Sequence, residues 1–142
     1  MTISARNVFK GTVTEIKDGP INAEIEITTA GGDRIVATLT EASVQSLGLA
    51  KGSQAVAVVK TPWVTLLSGT PEYRFSARNQ LKGTVSALTK GGVNSHVKVA
   101  LVGGATVSAM VTNDAVAELG LVEGAAVIAL FKASHVLVGV PV

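Results

Sequence analysis

The chain has 142 residues, enough for one ordinary domain or two very small ones. It is 47% hydrophobic, 15% charged and 4% aromatic, with a formal net charge of +2 and no cysteine. Disulfides, thiolate metal sites and cysteine nucleophiles are therefore excluded, and the charge is too small to imply a polyanion partner.

Residues 8–17 partly alternate in hydropathy and read as a first strand, ended by the turn Asp18-Gly19-Pro20. Residues 23–29 alternate cleanly, with Ala23, Ile25 and Ile27 on one face and Glu24, Glu26 and Thr28 on the other. Ala30-Gly31-Gly32-Asp33 is a hairpin turn, because adjacent glycines supply the positive φ such turns need. Arg34 to Leu39 form a third strand. Thr40 is placed to cap a short helix in which Val44 and Leu47 share a face, and Gly48 suits its C-terminal end. The turn Leu49-Ala50-Lys51-Gly52 leads to strands at 54–60 and 63–67. Ser68-Gly69-Thr70-Pro71-Glu72 reads as a linker.

The second half repeats this order. Its hairpin turns are Lys90-Gly91-Gly92 and Gly103-Gly104, its helix opens near Thr112-Asn113-Asp114, and its last strands cover 126–132 and 135–140. The repetition extends to residues. Ser4-Ala5-Arg6-Asn7 returns as Ser76-Ala77-Arg78-Asn79, Lys10-Gly11-Thr12-Val13 as Lys82-Gly83-Thr84-Val85, and Leu47-Gly48-Leu49 as Leu119-Gly120-Leu121. Two long copies make a tandem of modules rather than a solenoid, with residues 1–70 as the first unit and 71–142 as the second. Three strands, a helix and two strands is the order of a small five-stranded OB-like barrel, so the expected fold is all-β with short helices, as two such barrels. Modules this small have modest cores, and the polar content is too low to cover two of them. Apolar surface buried between modules and between chains is the expected remedy, hence an oligomer.

The chemistry-bearing residues are those the two copies share. Lys60 and Lys132 close the fourth strands in both, whereas Asp18, Glu26 and Lys51 become Lys90, Lys98 and Glu123. Arg, Lys, Ser and the nearby Thr40 or Thr112 form a donor-only set suited to a small oxyanion, with helix starts adding partial positive charge. A plainer reading stands beside it: Ser and Asn bonding local backbone in a turn, with Arg on the surface. Asn22 and Asn94, just after glycine turns, also suit a strained turn backbone. His96 and His135 fall in different expected strands without carboxylates at ligand spacing and read as surface or edge residues. Trp63 reads as packing. No phosphate-cradling loop or nucleophile elbow occurs.

Ser-Ala-Arg-Asn, followed by Lys-Gly-Thr-Val, Gly-Gly, Leu-Gly-Leu and the closing Val58-Val59-Lys60, resembles the Mop domain of the molbindin family, and the tandem resembles its two-module (di-Mop) members. The resemblance implies a homotrimer of two-module chains that binds molybdate, and tungstate too, between modules. The nominated positions are Ser4, Ala5, Arg6, Asn7, Thr40, Ser43, Lys60 and Thr61, and Ser76, Ala77, Arg78, Asn79, Thr112, Ala115, Lys132 and Ala133. Ala115 and Ala133 replace the hydroxyls of Ser43 and Thr61, which sets the two halves apart. A second class of site on the trimer axis is assigned to Gly19, Pro20 and Asn22 and to Gly91, Gly92 and Asn94.

The function expected is non-enzymatic: cytoplasmic storage and homeostasis of the oxyanion, with no direct cation ligands, nucleic acid or membrane involved. The alternatives are a molybdate-sensing module acting through a protein partner, and an OB-type nucleic-acid-binding protein. The latter needs a basic groove and stacking aromatics, which five aromatic residues hardly provide.

Overall fold

The computed structural model describes residues 1–142. The first half contains β1 (Asn7–Lys17), β2 (Asn22–Thr29), β3 (Arg34–Thr40), α1 (Glu41–Leu47), β4 (Gln54–Val59) and β5 (Thr65–Ser68). The second contains β6 (Asn79–Lys90), β7 (Asn94–Leu101), β8 (Thr106–Thr112), α2 (Asn113–Leu119), β9 (Ala126–Phe131) and β10 (Leu137–Gly139). The expected elements are present, and no helix is long and apolar enough to cross a membrane. The final strands start later than the sequence pattern suggested. Thr61–Trp63 and Ala133–His135 instead form single 3-10 turns, the first favoured by Pro62, which has a fixed φ and no N–H to satisfy.

Each half curls around its long first strand. β1 pairs with β2 on one side and β4 on the other, and Gly11 is opposite both Thr29 and Ala55. A Cβ at Gly11 would lie 2.3 Å from the Thr28 carbonyl oxygen, so only glycine permits that double pairing. The register shifts between Val13 and Glu15, and again between Val85 and Ala87 in β6. These bulges bend strands that would otherwise be too straight to close a barrel wall. Thr40 and Thr112 cap the helices by accepting from the N–H of Ser43 and Ala115, each at 3.1 Å. Gly48 and Gly120 end them in the left-handed region at φ 63° and 64°.

The fifth strands are exchanged. One sheet runs β10-β4-β1-β2-β3 and the other β5-β9-β6-β7-β8, so each half completes its sheet with the last strand of the other. Leu137 pairs with Val58, and Thr65 with Leu130. The exchange crosses the sequence boundary expected at residues 70 and 71. It also explains how two such small units are stable, because the core is one continuous cluster of 25 buried residues drawn from both. Ile25, Ile27, Ile35 and Ala37 in one half, and Val97, Val99, Val107 and Ala109 in the other, have no exposed surface.

Two asparagine amides fasten the halves side by side. The Asn7 Nδ2 donates to the Ser108 carbonyl at 2.8 Å and its Oδ1 accepts from the Ser108 N–H at 2.6 Å. Asn79 does the same to Val36, at 2.8 Å for both bonds. Ser108 and Val36 are equivalent positions on β8 and β3, the outermost strands of the two sheets. Each amide therefore satisfies a sheet edge that water or another strand would otherwise occupy. A third contact lacks this symmetry: the Asp33 carboxylate accepts from the N–H of Gly103 and Ala105 at 2.8 and 3.0 Å. Asn7→Ala strands a buried N–H and a buried C=O, and is expected to destabilise the fold by about 1–3 kcal/mol per group. Urea unfolding of that variant against Asn7→Asp and the parent measures it.

Candidate oxyanion-binding site

The pairing of Asn7 with Val59 lays the chain before β1 along the end of β4. Ser4 and Ala5 thereby line a hollow with Lys60, alongside Ile3, Trp63 and His135. In the other half Ser76 and Ala77 line a larger hollow with Lys132, again with Trp63 and His135. Those two rings are equivalent residues that stack on one another, centroids 4.6 Å apart and planes at 30°. Trp63 and His135 thus stand between two like hollows, each bearing a lysine, a serine and a length of backbone.

His135, expected on a strand as a surface or edge residue, lies in a 3-10 turn, and its Nδ1 is buried without a hydrogen-bond partner. The face of the same ring is covered by the stack against Trp63. His96 lies in β7 as expected, but its Nε2 is likewise occluded and unpartnered. No three His, Asp or Glu side chains cluster in the manner of a metal centre.

Arg6 and Arg78 differ in their surroundings. Neither lines its own hollow; Arg78 borders a separate cleft with Arg34, Asn79 and Lys82. The Arg78 guanidinium donates twice to Glu24, from Nε to Oε2 at 3.1 Å and from Nη2 to Oε1 at 2.5 Å. That hydrogen-bonded pairing holds the Glu24 carboxyl below its ordinary pKa despite some desolvation. The residue equivalent to Glu24 in the other half is His96, and Arg6 is the charge that bears on it. His96 is pushed below the ordinary imidazole pKa first by burial and then by Arg6 and Lys98. Sequence reasoning missed both partners, reading Glu24 only as the polar face of a strand. The signal present was the swap of an acid for an imidazole at one repeat position.

The other nominated residues are distributed as follows. Asn7 and Asn79 have their amides hydrogen-bonded to Ser108 and Val36, so their side chains hold the framework together. Thr61 and Ala133 are buried at the starts of the 3-10 turns. Thr40, Ser43, Thr112 and Ala115 lie at the helix starts and line neither hollow. The Thr40 hydroxyl donates to the Ser43 Oγ at 2.9 Å, so that pair is hydrogen-bonded to itself.

The turns assigned to a second class of site are built alike and charged differently. In both, the residue just before the strand asparagine is anchored by the helix: Glu41 N–H donates to Ile21 O, and Asn113 N–H to Val93 O, each at 2.8 Å. A Cβ at Gly19 or Gly91 would lie 2.6 Å from the carbonyl oxygen of Asn22 or Asn94, so both turns require glycine there. Desolvation and a hydrogen bond with Asp18 raise the Glu41 carboxyl above its ordinary pKa, a sign of crowded acids around Gly19, Pro20 and Asn22. The counterpart turn, Gly91, Gly92 and Asn94, has Lys90 and Asn113 in those places, and Asn113 Nδ2 donates to Gly91 O at 3.0 Å.

Residues 3–66 and 76–138 each match the TOBE domain model. The chain belongs to the TOBE-domain family, as a tandem (di-Mop) member. It is 54% identical to a solved structure of the cytoplasmic molybdate-binding protein ModG with molybdate bound, covering 99% of this chain and 100% of that one with a TM-score of 0.94. It is 42% identical to the molybdenum transport protein ModE of Herbaspirillum seropedicae, over 99% of this chain and 52% of that protein. It is 38% identical to the molybdenum-pterin-binding protein MopA of Rhodobacter capsulatus, over 99% of this chain and 53% of that protein. The chain thus spans about half the length of these two relatives, neither of which is named as an enzyme.

His96 supplies a pH test of the asymmetry. The unfolded chain takes a proton on His96 at the ordinary imidazole pKa, whereas the folded chain resists it until lower pH. Stability contributed by the neutral ring is therefore present above the ordinary value and is lost as pH falls from there toward the folded value. Imidazole NMR titration should place His96 below an ordinary histidine, and His96→Gln should flatten the acid side of the stability–pH curve.

Proposed function

We propose that this protein binds molybdate, and also tungstate, as a cytoplasmic storage and homeostasis protein without catalytic activity. The observation that carries the reading is the duplicated donor set: Ser4, Arg6 and Lys60 in one half, Ser76, Arg78 and Lys132 in the other. In each set the serine and lysine line a hollow, and the arginine follows the alanine that lines it. A dianion leaving water needs fixed donors and balancing cations, and these residues offer both. Thr61 and Ala133 adjoin the lysines. A helix start carrying Thr40 and Ser43, or Thr112 and Ala115, from a neighbouring module would complete the coordination. The molybdate-bound ModG structure, alike over the whole chain, supports the assignment of ligand and compartment. Residues 1–70 and 71–142 act in this reading as two functional modules sharing exchanged strands.

A homotrimer fits the surface. The chain exposes 8316 Å², whereas a compact monomer of this mass exposes roughly 6,800 Å². Equivalent apolar residues Ile21 and Val93 are each 74% exposed at the tips of the turns, and Leu137 is 65% exposed. Burying such residues against other copies removes the excess. Of the two axial turns, the one with Lys90 suits an anion and the one with Asp18 and Glu41 does not.

A second reading, a regulatory module, draws on the match to half of ModE. The same anion site would serve it, and the two separate by pull-down from extract with and without molybdate: a molybdate-dependent partner marks regulation.

Molybdate should raise the melting temperature and the persistence of the oligomer, since a ligand bound only by the native assembly stabilises it. Arg6→Ala combined with Arg78→Ala should remove most of that gain in differential scanning calorimetry. Trp63 fluorescence, from an indole that lines both hollows, should change on titration in the parent and not in the double variant. An unchanged response in the double variant would refute the site.

A further inference from the structure

We propose that residue 24 and its repeat counterpart, residue 96, set unequal affinities for the two oxyanion sites, with Glu24 acting as a built-in competitor for the guanidinium of Arg78. The inference rests on the oxyanion-binding reading above and concerns how its two sites differ.

The side edge of the Arg78 guanidinium is already taken. Its Nε and Nη2 both donate to the Glu24 carboxylate, a forked geometry that an incoming oxyanion would also use, and Nη1 makes no hydrogen bond. The ionised form of Glu24 is favoured by that pairing, so the competitor is charged throughout the neutral range. The pair is also displaceable. Its side chains are 54% and 30% exposed, and ion pairs so open to water hold weakly. Glu24 therefore lowers affinity without closing the site.

Arg6 meets no such carboxylate. The two salt bridges in the structure are Arg78 with Glu24 and Lys51 with Glu15. The charge of Arg6 bears instead on His96, whose ring is held neutral by burial and by the positive charge of Arg6 and Lys98. The balance of charge follows. Arg6 and Lys60 present two positive charges to a doubly negative guest. Arg78 and Lys132 present the same two less the one on Glu24. The missing hydroxyls at Ala115 and Ala133 act on these sites as well, so the residue-24 effect has to be isolated by changing that position alone.

The side-by-side clamping of the halves makes the effect cross between them. Glu24 lies on β2 of the first half, yet it occupies the arginine of the second half's opening string. The clamp of Asn79 on Val36 brings them together, since Val36 pairs with Glu26 on the same strand as Glu24.

The test is isothermal titration of the full-length protein with sodium molybdate at constant pH and ionic strength, for the parent and single variants. The parent should show two classes of site. Arg78→Ala should remove the weaker class and Arg6→Ala the stronger. Glu24→Gln should tighten the weaker class by about fivefold, the scale of one exposed ion pair, and leave the stronger class unchanged. His96→Glu should weaken the stronger class comparably. Glu24→His, which copies the pair of the other half, serves if the glutamine variant melts differently from the parent. If Glu24→Gln and Glu24→His fold like the parent, bind molybdate, and leave both classes unaltered, the inference is overturned while the binding function stands. A single class of identical sites in the parent overturns it too. A parent that binds no molybdate overturns both.

Discussion

Two asparagine side chains bonded to the backbone of the opposite half are the constraint on which this architecture depends. Each amide has one donor and one acceptor aimed at a single residue, Ser108 or Val36, and so imitates one rung of an antiparallel ladder. β3 and β8 are the outer strands of their sheets, and an open edge invites pairing with a foreign chain. Closing the edge with an amide from the other half makes the two sheets one body. The exchanged fifth strands reinforce that body, and the shared core makes it cooperative. Whatever the opening string does for a ligand, its asparagine first fixes where the arginine before it will lie.

Much of the fold was legible because local chemistry and global shape agree in this chain. Alternation in residues 23–29, the glycine pair at Gly31 and Gly32, the threonine caps and the closing Gly48 each specify one structure on their own. The exchange of β5 and β10 was not legible, for a physical reason. Thr65 and Leu137 are equivalent repeat positions, and so are their observed neighbours Leu130 and Val58. An unexchanged barrel would set Thr65 beside Val58 and Leu137 beside Leu130. Both arrangements lay a short strand along the same kind of apolar edge, so no single residue announces which one forms.

The candidate site was legible to the extent that it is duplicated. Serine, arginine and lysine recur in both halves, and the serines and lysines do gather, Ser4 with Lys60 and Ser76 with Lys132, around the hollows that share Trp63 and His135. Asn7 and Asn79 recur as well, and their amides clamp the framework; retention in both copies marks any shared constraint and does not say which. Glu24 and His96 were invisible for the opposite reason. They differ between the copies, and only the folded geometry sets each against an arginine of the other half.

That geometry gives the divergence of the repeat a direction. Asp18, Glu24, Asp33 and Glu41 are acids in the first half, while Lys90, His96, Ala105 and Asn113 stand at the equivalent positions of the second. In a tandem of separate modules each set would act mainly on its own module. Here Glu24 reaches Arg78 and Asp33 reaches the N–H groups of Gly103 and Ala105, so acids of the first half act on the second. The Asp33 contact joins the halves in a way Ala105 cannot return, and Glu24 reduces the positive charge around Arg78 in a way neutral His96 does not reproduce around Arg6. Symmetric amides hold the two halves together, and asymmetric carboxylates make them different.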